Sequence, residues 1–211
     1  MCIRDRRDRS TWEKVNLCFG EKECVANIKI GSVSSRTGTS NMNVFGINAN
    51  GGLYSTVNQL QIRNYAVVLS NQPYLELHPK LDSDDKHLMR YRSSPGSGVD
   101  ICVKLRSLTI AGRSINLMRG MLLCLDTGSN VMSFPSHMKR ELDETSGKML
   151  FTAEGLRGND VPLHLNASTS SRILYHSNRV DRNVIIVGTP ALKGNKMIVD
   201  TTSKIVKLEK V

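Results

Sequence analysis

Leu122-Leu123-Cys124-Leu125-Asp126-Thr127-Gly128-Ser129-Asn130 is the stretch that decides the fold. Four apolar residues in a row deliver an acid, a hydroxyl, a glycine and a second hydroxyl. A continuous apolar run bounded by turn residues reads as a strand buried on both faces. Such a strand carries Asp126 out of the core into a tight turn. Gly128 is expected to let the backbone come close and take unusual dihedrals. Ser129 is expected to hydrogen-bond the carboxylate, and Thr127 to reach across to a second loop of the same kind. Asp-Thr-Gly-Ser arises by chance in about one in several hundred chains of this length. An ordinary Asx turn after a strand uses the same residues, so the tetrapeptide alone leaves both readings open.

Outward from this stretch, the chain is a series of short segments rich in Val, Ile, Leu and Thr, split by Gly, Ser, Asn and Asp, which is an all-β pattern. Strands are predicted at Val25–Ile30, Tyr65–Leu69, Tyr74–Leu77, Asp100–Ile110, Met121–Leu125, Arg182–Val187, Met197–Val199 and Ile205–Leu208. Gly31–Ser40 reads as a loop, and Leu81–Ser97, charged and then Ser/Pro/Gly-rich, as a linker. Ala111-Gly112-Arg113 turns the 100–110 strand into Ser114–Leu117. Pro135–Glu144 is the one clear helix, with Ser136 as N-cap, and a short helix is expected over Val57–Ile62.

Composition narrows the class. The chain has 211 residues, enough for one or two domains with a core. No apolar run approaches the roughly 18–20 residues of a membrane-spanning helix. Lys and Arg exceed Asp and Glu by 29 to 19, a net +10. The basic residues are scattered and no nucleic-acid-binding motif accompanies them, so a solvated basic surface is expected and nucleic acid is not. His78, His87, His137, His164 and His176 are dispersed. No Cys-x-x-Cys or His-x-x-x-His pair exists, so neither a metal nor a cofactor is expected. Cys18 and Cys24 are close enough for a small disulfide loop. Cys102 and Cys124 sit in apolar segments, as free cysteines acting as small hydrophobes do. Asn166-Ala167-Ser168 is a glycosylation sequon. Residues 1–10 lack the apolar core of a signal peptide and read as an artefact or disordered leader.

Around Asp126 the sequence resembles the C-terminal lobe of pepsin-like aspartic proteases, in particular the plant nepenthesin-like branch. The resemblance covers nearly all of the chain after residue 25. Asp100–Leu117 resembles the lead-in strands, and Met132-Ser133-Phe134-Pro135 the segment after the catalytic turn. Ile185-Ile186-Val187-Gly188 resembles the hydrophobic-hydrophobic-Gly element that threads the catalytic loop into a psi shape, with Ile186, Val187 and Gly188 as its support. Val44-Phe45-Gly46-Ile47 and Leu53–Leu60 resemble parts of the first lobe.

The resemblance implies an all-β, pepsin-like lobe of the double-psi β-barrel type with a partial second lobe. Residues 11–95 would be the remnant of the N-terminal lobe and the inter-lobe linker, and 96–211 the C-terminal catalytic lobe. It implies an aspartic endopeptidase parent, secreted or vacuolar, acting on peptide or protein substrates. Asp126 would be catalytic, with Thr127, Gly128 and Ser129 supporting the loop. Asp126 and a partner aspartate would share a proton and activate a water. The chain holds one Asp-Thr-Gly turn, and the first lobe's turn would precede residue 25 in a truncated sequence. Asp200-Thr201-Thr202 lacks the glycine and is expected to be structural. The 211-residue chain alone is therefore expected to cut no peptide. Two alternatives stand beside this reading: a non-catalytic binding or inhibitor protein on a pepsin-like scaffold, and a retropepsin-like homodimer.

Overall fold

The computed structural model describes residues 9–19, 23–35, 59–94, 99–176 and 183–211, the first two segments by their backbone alone. Two compact units divide the chain, Cys2–Arg63 and Asn64–Val211. The elements expected at 44–47 and 53–58, and most of the leader, lie outside the described residues.

In the first unit, β1 (Arg9–Phe19) and β2 (Glu23–Ser35) form an antiparallel ribbon. Cys18 stands in register with Cys24. The strand predicted at 25–30 runs on through Ser35, where a loop was expected. The reason is pairing: Gly31, Ser32 and Val33 stand opposite Trp12, Thr11 and Ser10, and that ladder satisfies backbone groups whatever the side-chain pattern. Residues 36–40 lie outside the described residues, as do Val57 and Asn58. Gln61 has a φ of +52°, a left-handed conformation that does not continue the helix expected up to Ile62.

The second unit is one branched sheet of thirteen strands. In chain order they are β3 (Asn64–Leu69), β4 (Tyr74–Leu77), β5 (Met89–Ser94), β6 (Val99–Ile110), β7 (Arg113–Ser114), β8 (Leu122–Asp126), β9 (Met132–Pro135), β10 (Met149–Glu154), β11 (Asp160–Leu163), β12 (Ile173–His176), β13 (Val184–Gly188), β14 (Asn195–Asp200) and β15 (Ile205–Lys210). The order across the sheet is β12-β9-β13-β8-β6-β5-β15-β14-β3-β4. β7 and the β10–β11 pair branch from β6.

The apolar runs became strands where predicted. β8 and β13 pair in parallel and are buried almost throughout, as continuous apolar runs require. The 111–113 turn closes with Ala111 and Gly112 both at positive φ, which matches the right-handed twist of a two-residue hairpin. β7 is shorter than expected, ending at Ser114.

Three further expectations need correction. The 81–97 linker contains β5, a strand between β6 and β15. Its Met89 and Tyr91 point into the core while Arg90 and Arg92 point out. The helix is a 3-10 turn, Ser136–Met138, running into Lys139–Asp143, and Pro135 rather than Ser136 holds the cap position. Cys102 and Cys124 are not free: they stand opposite each other on β6 and β8 and form a disulfide. With Leu122 and Val184 they make a buried cluster, against which Val99 and Ile186 pack.

Candidate functional site: the Asp126 turn

β8 delivers Asp126 to the surface of the sheet because Leu122–Leu125 are all buried and the polar residues begin there. Asp126 itself is half-buried, and Thr127 and Gly128 are exposed. The carboxylate turns back on its own loop: Gly128 N–H donates to Asp126 Oδ1 at 2.9 Å. Ser129 N–H donates to the Asp126 carbonyl at 3.2 Å, closing the turn. This is an Asx turn.

Two sequence expectations fail locally. The Ser129 hydroxyl does not bond the carboxylate. It donates to the Val131 carbonyl at 3.1 Å and accepts from Val131 N–H at 3.3 Å, forming a turn of its own. Gly128 does not take a positive φ; what its position supplies is the N–H that caps Asp126.

Gly188 is the described glycine whose added Cβ would meet backbone, not a side chain, at under 3 Å. β13 lies between β8 and β9, the strands that enter and leave the turn, so the loop is threaded as a psi. Gly188 stands in register with Asp126. A Cβ on Gly188 would sit 2.4 Å from the Val131 carbonyl oxygen and 2.5 Å from that of Ser129. Ile186, half-buried, and Val187, fully buried, pair with Cys124 and Leu125 and hold this strand in place.

Thr189 completes the arrangement and was missed in the sequence. Its N–H donates to the Ser129 carbonyl at 2.7 Å and its hydroxyl to the Thr127 carbonyl at 2.9 Å. The available signal was its place directly after the Gly188 element. Ser133 Oγ and His176 Nδ1, 2.8 Å apart, tie β9 to β12.

Elsewhere, Asp200 stands at the end of β14. Its Oδ1 accepts from the N–H groups of Thr202 and Ser203, so it caps the β14–β15 turn. Asn166 is exposed, and its backbone N–H donates to the Ala191 carbonyl. Among the described residues no group of three His, Cys, Asp or Glu side chains could hold a metal, and no helix is long and apolar enough to cross a membrane.

Comparison with solved structures places this architecture. The chain is similar to basic 7S globulin from soybean, with a TM-score of 0.63 and 11% identity over 90% of this chain and 65% of that one. It is also similar to conglutin gamma, a basic 7S globulin from lupine seeds, with a TM-score of 0.65 and 10% identity over 96% of this chain and 68% of that one. The chain has a pepsin-like β fold. It spans about two thirds of the length of these two proteins. No family model and no curated protein matches the chain.

The likeness corrects the functional expectation. Both similar structures are named as basic 7S globulins, and neither is named as a peptidase. The assignment to a nepenthesin-like protease falls, and with it the aspartic-endopeptidase activity and the description of the chain as a hydrolase acting in proteolysis. The resemblance in sequence was to the scaffold, and a scaffold does not carry its chemistry with it.

Proposed function

We propose that this chain is a non-catalytic binding protein on a pepsin-like scaffold, secreted or vacuolar, whose ligand is a protein or peptide. The observation that carries the reading is the likeness to two proteins named as basic 7S globulins. The net charge of +10 agrees with a basic protein of that kind. The buried Cys102–Cys124 disulfide supports folding in an oxidising compartment. The Asp126 turn agrees with it: one carboxylate oxygen accepts from Gly128 N–H, the Ser129 hydroxyl is spent on Val131, and the Thr189 hydroxyl holds the Thr127 carbonyl.

The test is capture of a random peptide library on the immobilised chain at acidic and neutral pH, read by mass spectrometry. Saturable retention of peptides that are recovered intact is expected. Peptides recovered cut by the chain but intact from Asp126→Asn, or no saturable retention of any peptide, would overturn the reading.

A further inference from the structure

Away from the Asp126 turn, the loop over residues 82–88 faces the turn between β10 and β11 across a cavity of about 440 Å³. Lys86, His87, Arg157, Asn159, Asp160 and Pro162 line it. Its walls are fixed to each other. Leu156 N–H donates to the Leu88 carbonyl at 2.7 Å, and Asn159 Nδ2 to the Lys86 carbonyl at 2.8 Å. Arg106 Nη2 donates to the Gly158 carbonyl at 2.8 Å. The volume lies within the range of small-molecule sites.

The charges around the cavity are unevenly committed. Three of the acids around it, Asp84, Asp85 and Asp160, already have a cation. Asp160 pairs with Arg106 at 3.3 Å, and Asp85 with Lys207 at 2.7 Å. Asp84 pairs with Arg157 at 2.7 Å, but those two side chains are 85% and 60% exposed. A pair so solvated is weak, and Arg157 can exchange Asp84 for another oxyanion. Lys86 is exposed and has no ion-pair partner among the described residues. His87 Nδ1 lies 2.9 Å from Asp85 Oδ1, which also accepts the His87 backbone N–H at 2.8 Å. With Nδ1–H given to Asp85, a neutral ring keeps Nε2 as a lone-pair acceptor.

We propose that this cavity binds a small hydroxylated acid, its carboxylate or phosphate gripped by Lys86 and Arg157 and its hydroxyl donated to His87 Nε2. Planar guanidinium and ammonium together suit an oxyanion, and the imidazole held by Asp85 selects a ligand with a donor beside it. Pro162 supplies an apolar wall for the carbon frame.

The test is an NMR titration of the full chain with citrate and, separately, with glucose 6-phosphate, following the amides of 84–88 and 155–162. Saturable shifts confined to those segments are expected with at least one probe, and the probe that saturates tells whether a carboxylate or a phosphate is preferred. Lys86→Gln combined with Arg157→Gln is expected to weaken binding at least tenfold, and Lys148→Gln, an exposed lysine outside the cavity, not at all. Both variants alter exposed side chains, and circular dichroism checks that they fold. No saturation with either probe up to tens of millimolar, or equal binding by the double variant, would overturn the proposal. Equal binding of citrate and of tricarballylate, which lacks the hydroxyl, would overturn the part given to His87.

Discussion

Gly188 stands opposite Asp126 across the parallel β8–β13 pair, and its bare α-carbon is the floor on which the Asp126 turn rests. The nearest atoms to an added methyl would be two backbone carbonyl oxygens, of Val131 and Ser129, at 2.4 and 2.5 Å. Backbone cannot swing aside as a side chain can. Gly188→Ala is therefore expected to destabilise the chain by about 1–3 kcal/mol, or more, as overpacking does. Urea unfolding monitored by circular dichroism measures this. An unchanged midpoint would show that the turn does not rest on β13.

Asp126 serves its own turn through one oxygen. Asp126→Ala removes the acceptor for Gly128 N–H and is expected to cost about 0.5–1.5 kcal/mol, the usual net worth of a hydrogen bond. Asp126→Asn keeps an oxygen in the same place and is expected to cost less than half of that. The same unfolding measurement on the two variants checks the order. Equal losses would mean that the charge, and not the cap, matters at this position.

The Cys102–Cys124 bridge closes a loop with a separation of 22 residues between its ends. Loops of that size stabilise by about 3 kcal/mol through the unfolded chain. The double variant Cys102→Ala/Cys124→Ala is expected to lose roughly that much. Both cysteines are fully buried, so thiol labelling after a mild reductant is expected to reach them only as the chain unfolds. Rapid labelling of the folded chain at these two positions would contradict this.

Asp85 predicts a pH signature. The Lys207 ammonium hydrogen-bonded to it, followed by the His87 backbone N–H, holds its pKa down at about 2 from an ordinary 3.8. A carboxylate lowered on folding stabilises above its unfolded value, and that stabilisation is lost as pH falls through the folded value. Wild type is thus expected to be more stable than Asp85→Asn at neutral pH, with the gap in Tm closing between about pH 4 and pH 2. A gap that stays constant through that window would remove Asp85 from the account.

Much of this fold was legible because burial on both faces writes a continuous apolar run. Leu122–Leu125, Val184–Val187 and Met197–Val199 all announced themselves in this way, and Gly188 stood out by ending such a run. β5 did not. Its alternation of Met89, Arg90, Tyr91 and Arg92 is short, and a register shift between Arg92 and Ser94 breaks the period. The Ser/Pro/Gly residues that follow then favoured a linker. The disulfide was invisible because its two cysteines lie on strands whose register no spacing in sequence reveals. At the site, the psi-threaded loop was implied by the resemblance, and nothing in the sequence gave the direction of its hydrogen bonds. Ser129 has a carboxylate and a carbonyl within the same turn, and the carbonyl two residues ahead took its hydroxyl. The functional reading went astray at the same place, since an Asx cap and a catalytic carboxylate need the same four residues.

In the proposed function the pepsin-like turn holds structure and does no chemistry. The direct measurement is a mass-spectrometric map of an unfolded protein incubated for a day with wild type, and in parallel with Asp126→Asn, from acidic to neutral pH. The account predicts identical maps with no new termini in either. Cuts made by wild type and missing from Asp126→Asn would contradict it.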